Sequence, residues 1–265
     1  MKKAKNIVFL ALLAAYIIVV SGFIAEKERG RHISALKINI TDSTDNQFIH
    51  TKDILHILEA SRFYPVGKEF SEVDLEKAEK SLQGRQIIGK AEVFITEPGV
   101  VNVEITQKTP FVRVFDRYGN SFYLDRKGNI IPRGNGFSPF VLVANGFIDE
   151  PFALSRTMNI MDAKHDSITR SLHTIYDVYR LARYITEDDF WNAQIEQIYV
   201  TSNYEFELIP RVGSQVIELG RVENLDEKFG NLKILYEKGF NNLGWNQYEK
   251  ICLKYKNQVV CTKTQ

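Results

Sequence analysis

The chain opens on an unbroken apolar run. From Asn6 to Ala25, NIVFLALLAAYIIVVSGFIA, no residue carries a charge. Twenty residues at 1.5 Å of rise make roughly 30 Å of helix, the thickness of bilayer hydrocarbon. A helix on the surface of a soluble domain keeps a polar face, and this stretch has none. Two readings fit it: a retained membrane anchor, or a signal peptide cut near Val19-Val20-Ser21 or Val20-Ser21-Gly22. Signal cores usually span only about 7–15 apolar residues, so the anchor is the expectation. Lys2, Lys3 and Lys5 precede the run, whereas Lys27, Arg29 and Arg31 behind it are diluted by Glu26 and Glu28. That asymmetry puts the tail, residues 1–5, in the cytoplasm and the bulk of the chain outside.

Past the run the pattern becomes that of a folded domain. Ala35–Ile40 alternates apolar and polar positions as a half-buried strand does. Thr51 is placed to cap a helix over KDILHILEAS, with Ile54, Leu55 and Leu58 on one face. Arg62-Phe63-Tyr64-Pro65-Val66-Gly67 breaks it. Ser71 is expected to open a second helix with Asp74 as an acidic capping partner, Val73, Leu75, Ala78 and Leu82 in its stripe, and Gly84 as its stop. Ala91–Thr96 and Val100–Thr106 read as strands around Glu97-Pro98-Gly99, a turn. The order is strand–helix–helix–strand–strand, and one small sheet with both helices on one face buries every stripe.

From Pro110 onward short strands dominate. Phe111–Phe115 is followed by an internal echo, DRYGN at Asp116–Asn120 and DRKGN at Asp125–Asn129. Asp at the turn start and Gly at the left-handed position make two successive hairpin turns. A calcium loop is the sharper reading, but its alternating Asp/Asn ligands and closing Glu are absent. Pro139–Ala144 reads as another strand, and Met158–Asp166 as loop. Ser167–Thr186 is the longest helical pattern after the opening run, with Ile175, Tyr179, Ala182 and Ile185 recurring at helical spacing. Glu196–Val200, Glu205–Pro210 and Ser214–Leu219 form a meander. Asn224 with Glu227 is a second capping pair, for a helix buried through Phe229 and Leu232 and ended by Gly239. Lys250–Cys261, KICLKYKNQVVC, is strand material. The fold class is therefore α+β, with a sheet carrying two helices in the second domain.

Composition changes the picture in one respect. Lys+Arg total 34 and Asp+Glu 33, but the three tail lysines leave 31 bases against 33 acids in the remainder. A mildly acidic exported part is a poor phosphate binder, which excludes nucleic acid as its main partner. The two cysteines, Cys252 and Cys261, are too few for a disulfide framework or a four-ligand zinc site. They face each other only if the chain turns back at Lys256-Asn257, and are ~30 Å apart on a continuous strand. A bridge and two partly buried thiols both remain open at this point.

Chemistry is sparse. The five histidines, His32, His50, His56, His165 and His173, show no metal-ligand spacing, and no nucleophile elbow or phosphate loop occurs. No catalytic residue, cofactor, metal or small-molecule substrate is expected. Binding through a sheet edge is the alternative, with the last strand as its candidate, against the reading that its lysines merely protect the edge.

The arrangement resembles the FtsQ/DivIB family of bacterial cell-division proteins over nearly the whole chain. The resemblance rests on YLDRKGNII (Tyr123–Ile131), IEQIYV (Ile195–Val200), VIELGRVENLDEKFGNLKIL (Val216–Leu235) and ICLKYKNQVV (Ile251–Val260). Leu219, Gly220 and Lys228 match the family's helix entry, and Leu253 and Tyr255 its final strand. Cys252 and Lys254 depart from that strand's acid and arginine. The resemblance implies a single-pass inner-membrane protein of the division septum, not an enzyme. Its parts would be residues 1–5 as cytoplasmic tail, 6–25 as span, 26–108 as juxtamembrane segment and POTRA-like domain, and 109–265 as β domain. It further implies FtsB/DivIC-like and FtsL-like bitopic partners, bound by strand addition at the C-terminal edge. Carried over by position, the binding residues are Lys254, Tyr255, Lys256, Asn257, Gln258 and Val259. The competing expectation is a POTRA-containing envelope protein that handles client chains in secretion or outer-membrane biogenesis.

Overall fold

A computed structural model describes residues 31–41, 49–133, 139–149, 159–161, 170–240 and 247–264, with Leu13, Ala15 and Tyr16 as isolated helical positions. The rest of the expected span lies outside the described residues. No described helix is long and apolar enough to cross a membrane. The chain divides into two compact units, Met1–Gln107 and Lys108–Gln265.

The first unit runs β1 (Ala35–Ile40), α1 (Thr51–Ala60), α2 (Leu75–Gln83), β2 (Ile88–Thr96) and β3 (Val100–Gln107). The sheet order is β1-β3-β2, with β1 parallel and β2 antiparallel to the central strand. Val101, Val103 and Ile105 of β3 are fully buried beneath Ile54 and Leu58 of α1 and Ala78 and Leu82 of α2. The expected stripes therefore form the core. Both helix starts differ in detail from expectation. The first helix is capped at His50, whose backbone N–H donates to Asp53 at 2.8 Å. The second begins at Leu75 rather than Ser71, because Phe70–Glu72 closes a separate 3₁₀ turn and Val73 returns to extended backbone. Asp74, expected inside the first turn, is itself the cap, accepting from the Lys77 N–H at 2.9 Å.

The second unit is built on one mixed sheet with the order β12-β11-β10-β9-β8-β7-β4-β5-β6. Its strands are β4 (Pro110–Phe115), β5 (Ser121–Asp125), β6 (Ile130–Pro132), β7 (Leu142–Gly146), β8 (Ile195–Val200), β9 (Phe206–Pro210), β10 (Val216–Gly220), β11 (Tyr248–Cys252) and β12 (Val260–Lys263). Three helices are described: α3 (Arg170–Glu187), α4 (Asp189–Gln194) and α5 (Leu225–Ile234). Parallel neighbours need a crossover rather than a tight turn. Accordingly α3 and α4 lie in the connection from β7 to β8, and α5 in that from β10 to β11, both parallel pairs. Ile175, Tyr179, Ala182 and Ile185 of α3 pack with Phe229 and Leu232 of α5 over the inward residues of the strands.

The helical layer differs from expectation at two points. The domain carries three described helices, not two, since Asp188 caps the short α4 by accepting from the Trp191 N–H at 3.0 Å. Gly239 does not end α5, which continues through it as a π-helical segment, Leu235–Phe240.

The echoed turns fold as twins. Asp116 Oδ1 accepts from the N–H groups of Tyr118 and Asn120, and Oδ2 from the Asn120 side chain. Asp125 does the same with Lys127 and Asn129. Gly119 and Gly128 hold φ near +88° and +79°. Each carboxylate is thus saturated by its own loop.

A candidate partner-docking edge

The expected final strand is a hairpin. Ile251 and Cys252 are flanked on both sides, by β10 in parallel and by β12 antiparallel. Strand addition directly onto them is therefore excluded. The chain then leaves the ladder at Leu253 and returns as β12, the outermost strand of the sheet. A left-handed residue, Asn257 at φ 57°, makes the return. Lys254, Tyr255, Lys256, Asn257 and Gln258 are exposed on this turn, while half-buried Val259 packs against the core. None of these six residues lies in a strand.

Several anchors fix the turn. Leu253 is buried and donates its N–H to the Glu218 carbonyl at 2.9 Å. Lys254 Nζ meets Glu205 Oε2 of the β8–β9 connection at 2.6 Å, a contact that raises the lysine pKa. The Asn257 N–H donates to Glu227 Oε1 at 2.9 Å. Glu227 is thus not the capping partner of Asn224, which sits at φ 51° without a side-chain cap. The pattern at Asn224–Glu227 looked local because a capping box and a long-range acceptor use the same residue types.

Lys228 completes the support. Its ammonium donates to the carbonyls of Leu219 at 2.9 Å and Arg221 at 2.8 Å, while burial lowers its pKa. It ties α5 to the end of β10, where Gly220 turns at φ 74°. A Cβ there would come within 3.1 Å of the Lys254 stem, so the glycine lets that stem lie flat. Between α5 and the turn a cleft of about 90 Å³ opens, lined by Glu223, Glu227, Lys228, Tyr255 and Gln258 among others.

The hairpin register also decides the cysteines. Cys261 opposes Ile251, and Cys252 opposes Val260, so the two thiols lie on opposite faces of the sheet. Both are free. Burial raises the Cys261 pKa, which keeps it in the unreactive thiol form. Sequence spacing allowed a bridge; a register offset of one residue removed it.

The two ends of the sheet differ. β6 has three residues, ends at Pro132, and its approach is bridged at Asn129 by Asn159. Short length and proline are the usual means of blunting an edge. β12 is longer, reads Val-Cys-Thr-Lys, and presents an outer flank with no strand partner among the described residues. Val260, the first residue of β12, is 44% exposed, and Tyr255, on the turn before it, is 56% exposed.

A family model described as FtsQ/DivIB, C-terminal related, matches residues 109–262. That is more than half of the chain. The chain belongs to the FtsQ/DivIB family. A POTRA-like domain model matches residues 32–106, the first unit. No curated protein matches this chain. Membership makes the FtsQ/DivIB-family chain a division-associated POTRA protein, of a family of non-enzymatic scaffolds that interact with division proteins. Among its described residues no cluster of His, Cys, Asp and Glu is placed to hold a metal. His32 sits in a single bridge with Glu69, and His50 and His56 are exposed. His165 lies outside the described residues.

Proposed function

We propose that this chain is a membrane-anchored divisome scaffold that recruits FtsB/DivIC-like and FtsL-like partners outside the cytoplasmic membrane by strand addition at β12. The observation that supports it is the outer flank of Val260–Lys263, which has no strand partner among the described residues, at one end of a nine-stranded sheet. Main-chain bonds along such an edge supply affinity, and neighbouring side chains supply selectivity. Lys254–Val259 then act not as ladder residues but as the shoulder over which the partner passes on leaving β12. Tyr255 is the aromatic anchor of that shoulder. Tyr255→Ala is expected to weaken capture of the FtsB/DivIC-like partner by roughly 1–3 kcal/mol, measured by calorimetry, with the melting temperature unchanged.

Proline scanning through Val260–Lys263 tests the edge itself. In a strand, alternate N–H groups point to opposite flanks. Proline at positions facing outward is expected to abolish partner capture and leave the fold intact, whereas the alternate positions also lose pairing with β11. A scan in which every folded variant still captures the partner sinks the assignment.

The client-handling alternative would use the free flank of β2 in the first unit. That flank is already engaged: Glu79 Oε2 accepts from the Val93 N–H at 3.3 Å, and Gln83 Nε2 donates to the Ala91 carbonyl at 3.1 Å. Side chains of α2 thus stand where a client strand would pair on β2.

A further inference from the structure

The first unit has two ends, and its strand order decides which residues gather at each. β1 begins, β2 ends and β3 begins at one end, since Ala35 and Thr96 both pair with Val100. α1 ends and α2 begins there too. Three segments are bonded together at this end. Ile33 donates to the Lys68 carbonyl at 2.9 Å and accepts from the Gly67 N–H at 2.8 Å. Phe70 donates to the Arg31 carbonyl at 3.1 Å, and Ser34 to the Gly99 carbonyl at 2.8 Å. The loop from Arg62 to Phe70 is therefore held against the residues that follow the apolar run.

That loop shows an unusual tip. Phe63 packs against the core and Pro65 is buried, yet Tyr64 and Val66 are exposed at 55% and 58%. Half-buried Phe63 and buried Pro65 hold the backbone on one side and between the two, and the bonds of Gly67 and Lys68 to Ile33 hold it on the other, so both side chains are left outside. Arg62 and Lys68 flank the pair, both exposed. A cleft of about 170 Å³ opens beside them, lined by Arg62, Tyr64, Lys68, Glu72 and Lys77 among others. Among the acids of this end, Glu72 accepts from the Glu69 N–H, Glu69 from the Ser71 hydroxyl, Asp74 caps α2 and Glu97 pairs with Arg31, while Glu59 is exposed in the last turn of α1. Arg62 and Lys68 make no ion pair among the described residues.

We infer that this tip is a bilayer-contact surface, with Tyr64 and Val66 seated in the headgroup layer and Arg62 and Lys68 meeting phospholipid phosphates. The inference rests on the anchor reading, and the length of the leash supplies its geometry. Five residues, and so six Cα steps, separate Ala25 from Arg31, at most roughly 20 Å when fully extended. A loop bonded to residues 31–33 cannot stand far from the membrane surface. An amphipathic tyrosine with adjacent cations is the chemistry that the water–hydrocarbon boundary selects. The contact would stop the unit from swinging freely on its anchor.

The test uses the full chain reconstituted in phosphatidylcholine vesicles, with and without phosphatidylglycerol. Tyr64 is replaced by photoreactive benzoylphenylalanine, and Lys90, at the opposite end of the unit, serves as the control position. Mass spectrometry is expected to find lipid adducts several-fold above control at 64, rising with phosphatidylglycerol. Arg62→Gln with Lys68→Gln is expected to remove that rise. Equal yields at 64 and 90 in carbonate-resistant protein overturn the contact while leaving the anchor standing, and so do protein adducts in place of lipid ones. Release of the chain by alkaline carbonate overturns the anchor and the contact with it.

Discussion

Trp191→Ala is expected to destabilise the second unit by about 3–5 kcal/mol, the range for removing a large buried aromatic side chain. Trp191 is 3% exposed and sits on α4, the short helix between α3 and β8. Its ring meets Phe190 at 4.8 Å, Phe229 at 5.0 Å and Tyr236 at 5.7 Å between centroids, all edge-to-face. Such pairs contribute about 0.5–1.5 kcal/mol each beyond buried area, so the upper part of the range is the expectation. Phe229 belongs to α5 and Tyr236 to the π-helical segment that follows it. One side chain therefore locks three consecutive segments of the helical layer together. For a unit of this size a loss of that order lowers the melting temperature by roughly 10–15 °C, readable by calorimetry. Trp191→Phe keeps most of the contact and is expected to lose less than half as much. A drop below about 3 °C for the alanine variant would mean that the ring cluster is not cooperative with the sheet.

The second large effect separates the twin turns. Asp125→Ala is expected to cost about 2–4 kcal/mol and Asp116→Ala about 1–2, although both lose the same three charge-assisted bonds. The difference lies in what each loop supports. The Asp125 turn is docked: Tyr179 of α3 donates to the Arg126 carbonyl at 2.7 Å, and Asn159 donates to the Lys127 carbonyl at 2.9 Å and to Asn129 Oδ1 at 3.1 Å. The Gly128 carbonyl also accepts from the Ile160 N–H at 3.0 Å. The Asp116 turn is held from outside by Arg117, through its N–H on the Ile148 carbonyl and its side chain on Asp149, while Tyr118 is 68% exposed. Urea unfolding of the two alanine variants side by side measures the gap. Equal losses would show that the carboxylate matters only within its own loop.

These two cases mark the boundary of what pattern reading reaches. Both DRxGN turns were legible because an Asx turn is a local event: Asp, Gly and Asn within five positions carry the whole geometry. Their unequal importance was not legible, since it comes from α3 and the 159–161 segment arriving by tertiary folding. The core stripes of α1, α2 and β3 were legible through periodicity, for a helix or strand must turn its apolar side inward wherever it docks. The start of α2 was missed by a few residues because Glu69, Ser71 and Asp74 are all plausible caps, and only the path of Val73 selects one. α4 was missed altogether. Six residues give too little periodicity to stand out, and the aromatic cluster that holds Asp189–Gln194 in place is assembled from three segments.

The site shows the same division. The sequence pointed to Lys250–Cys261 as the docking element, and Leu219, Gly220, Lys228, Leu253 and Tyr255 carried the family likeness. It determined, by itself, the apolar run, the order of elements in the first unit, the twin turns, and the absence of any motif for catalysis or metal binding. Tertiary structure alone decided that Lys250–Cys261 folds back at Asn257, that β12 rather than β11 is the sheet edge, and that Cys252 and Cys261 face away from each other. The physical reason is that a strand's flanks are fixed by pairing, and pairing joins residues far apart in the chain. Glu205, Glu218 and Glu227 hold the terminal hairpin from as many as 49 positions away, and nothing in the local pattern around them announces it.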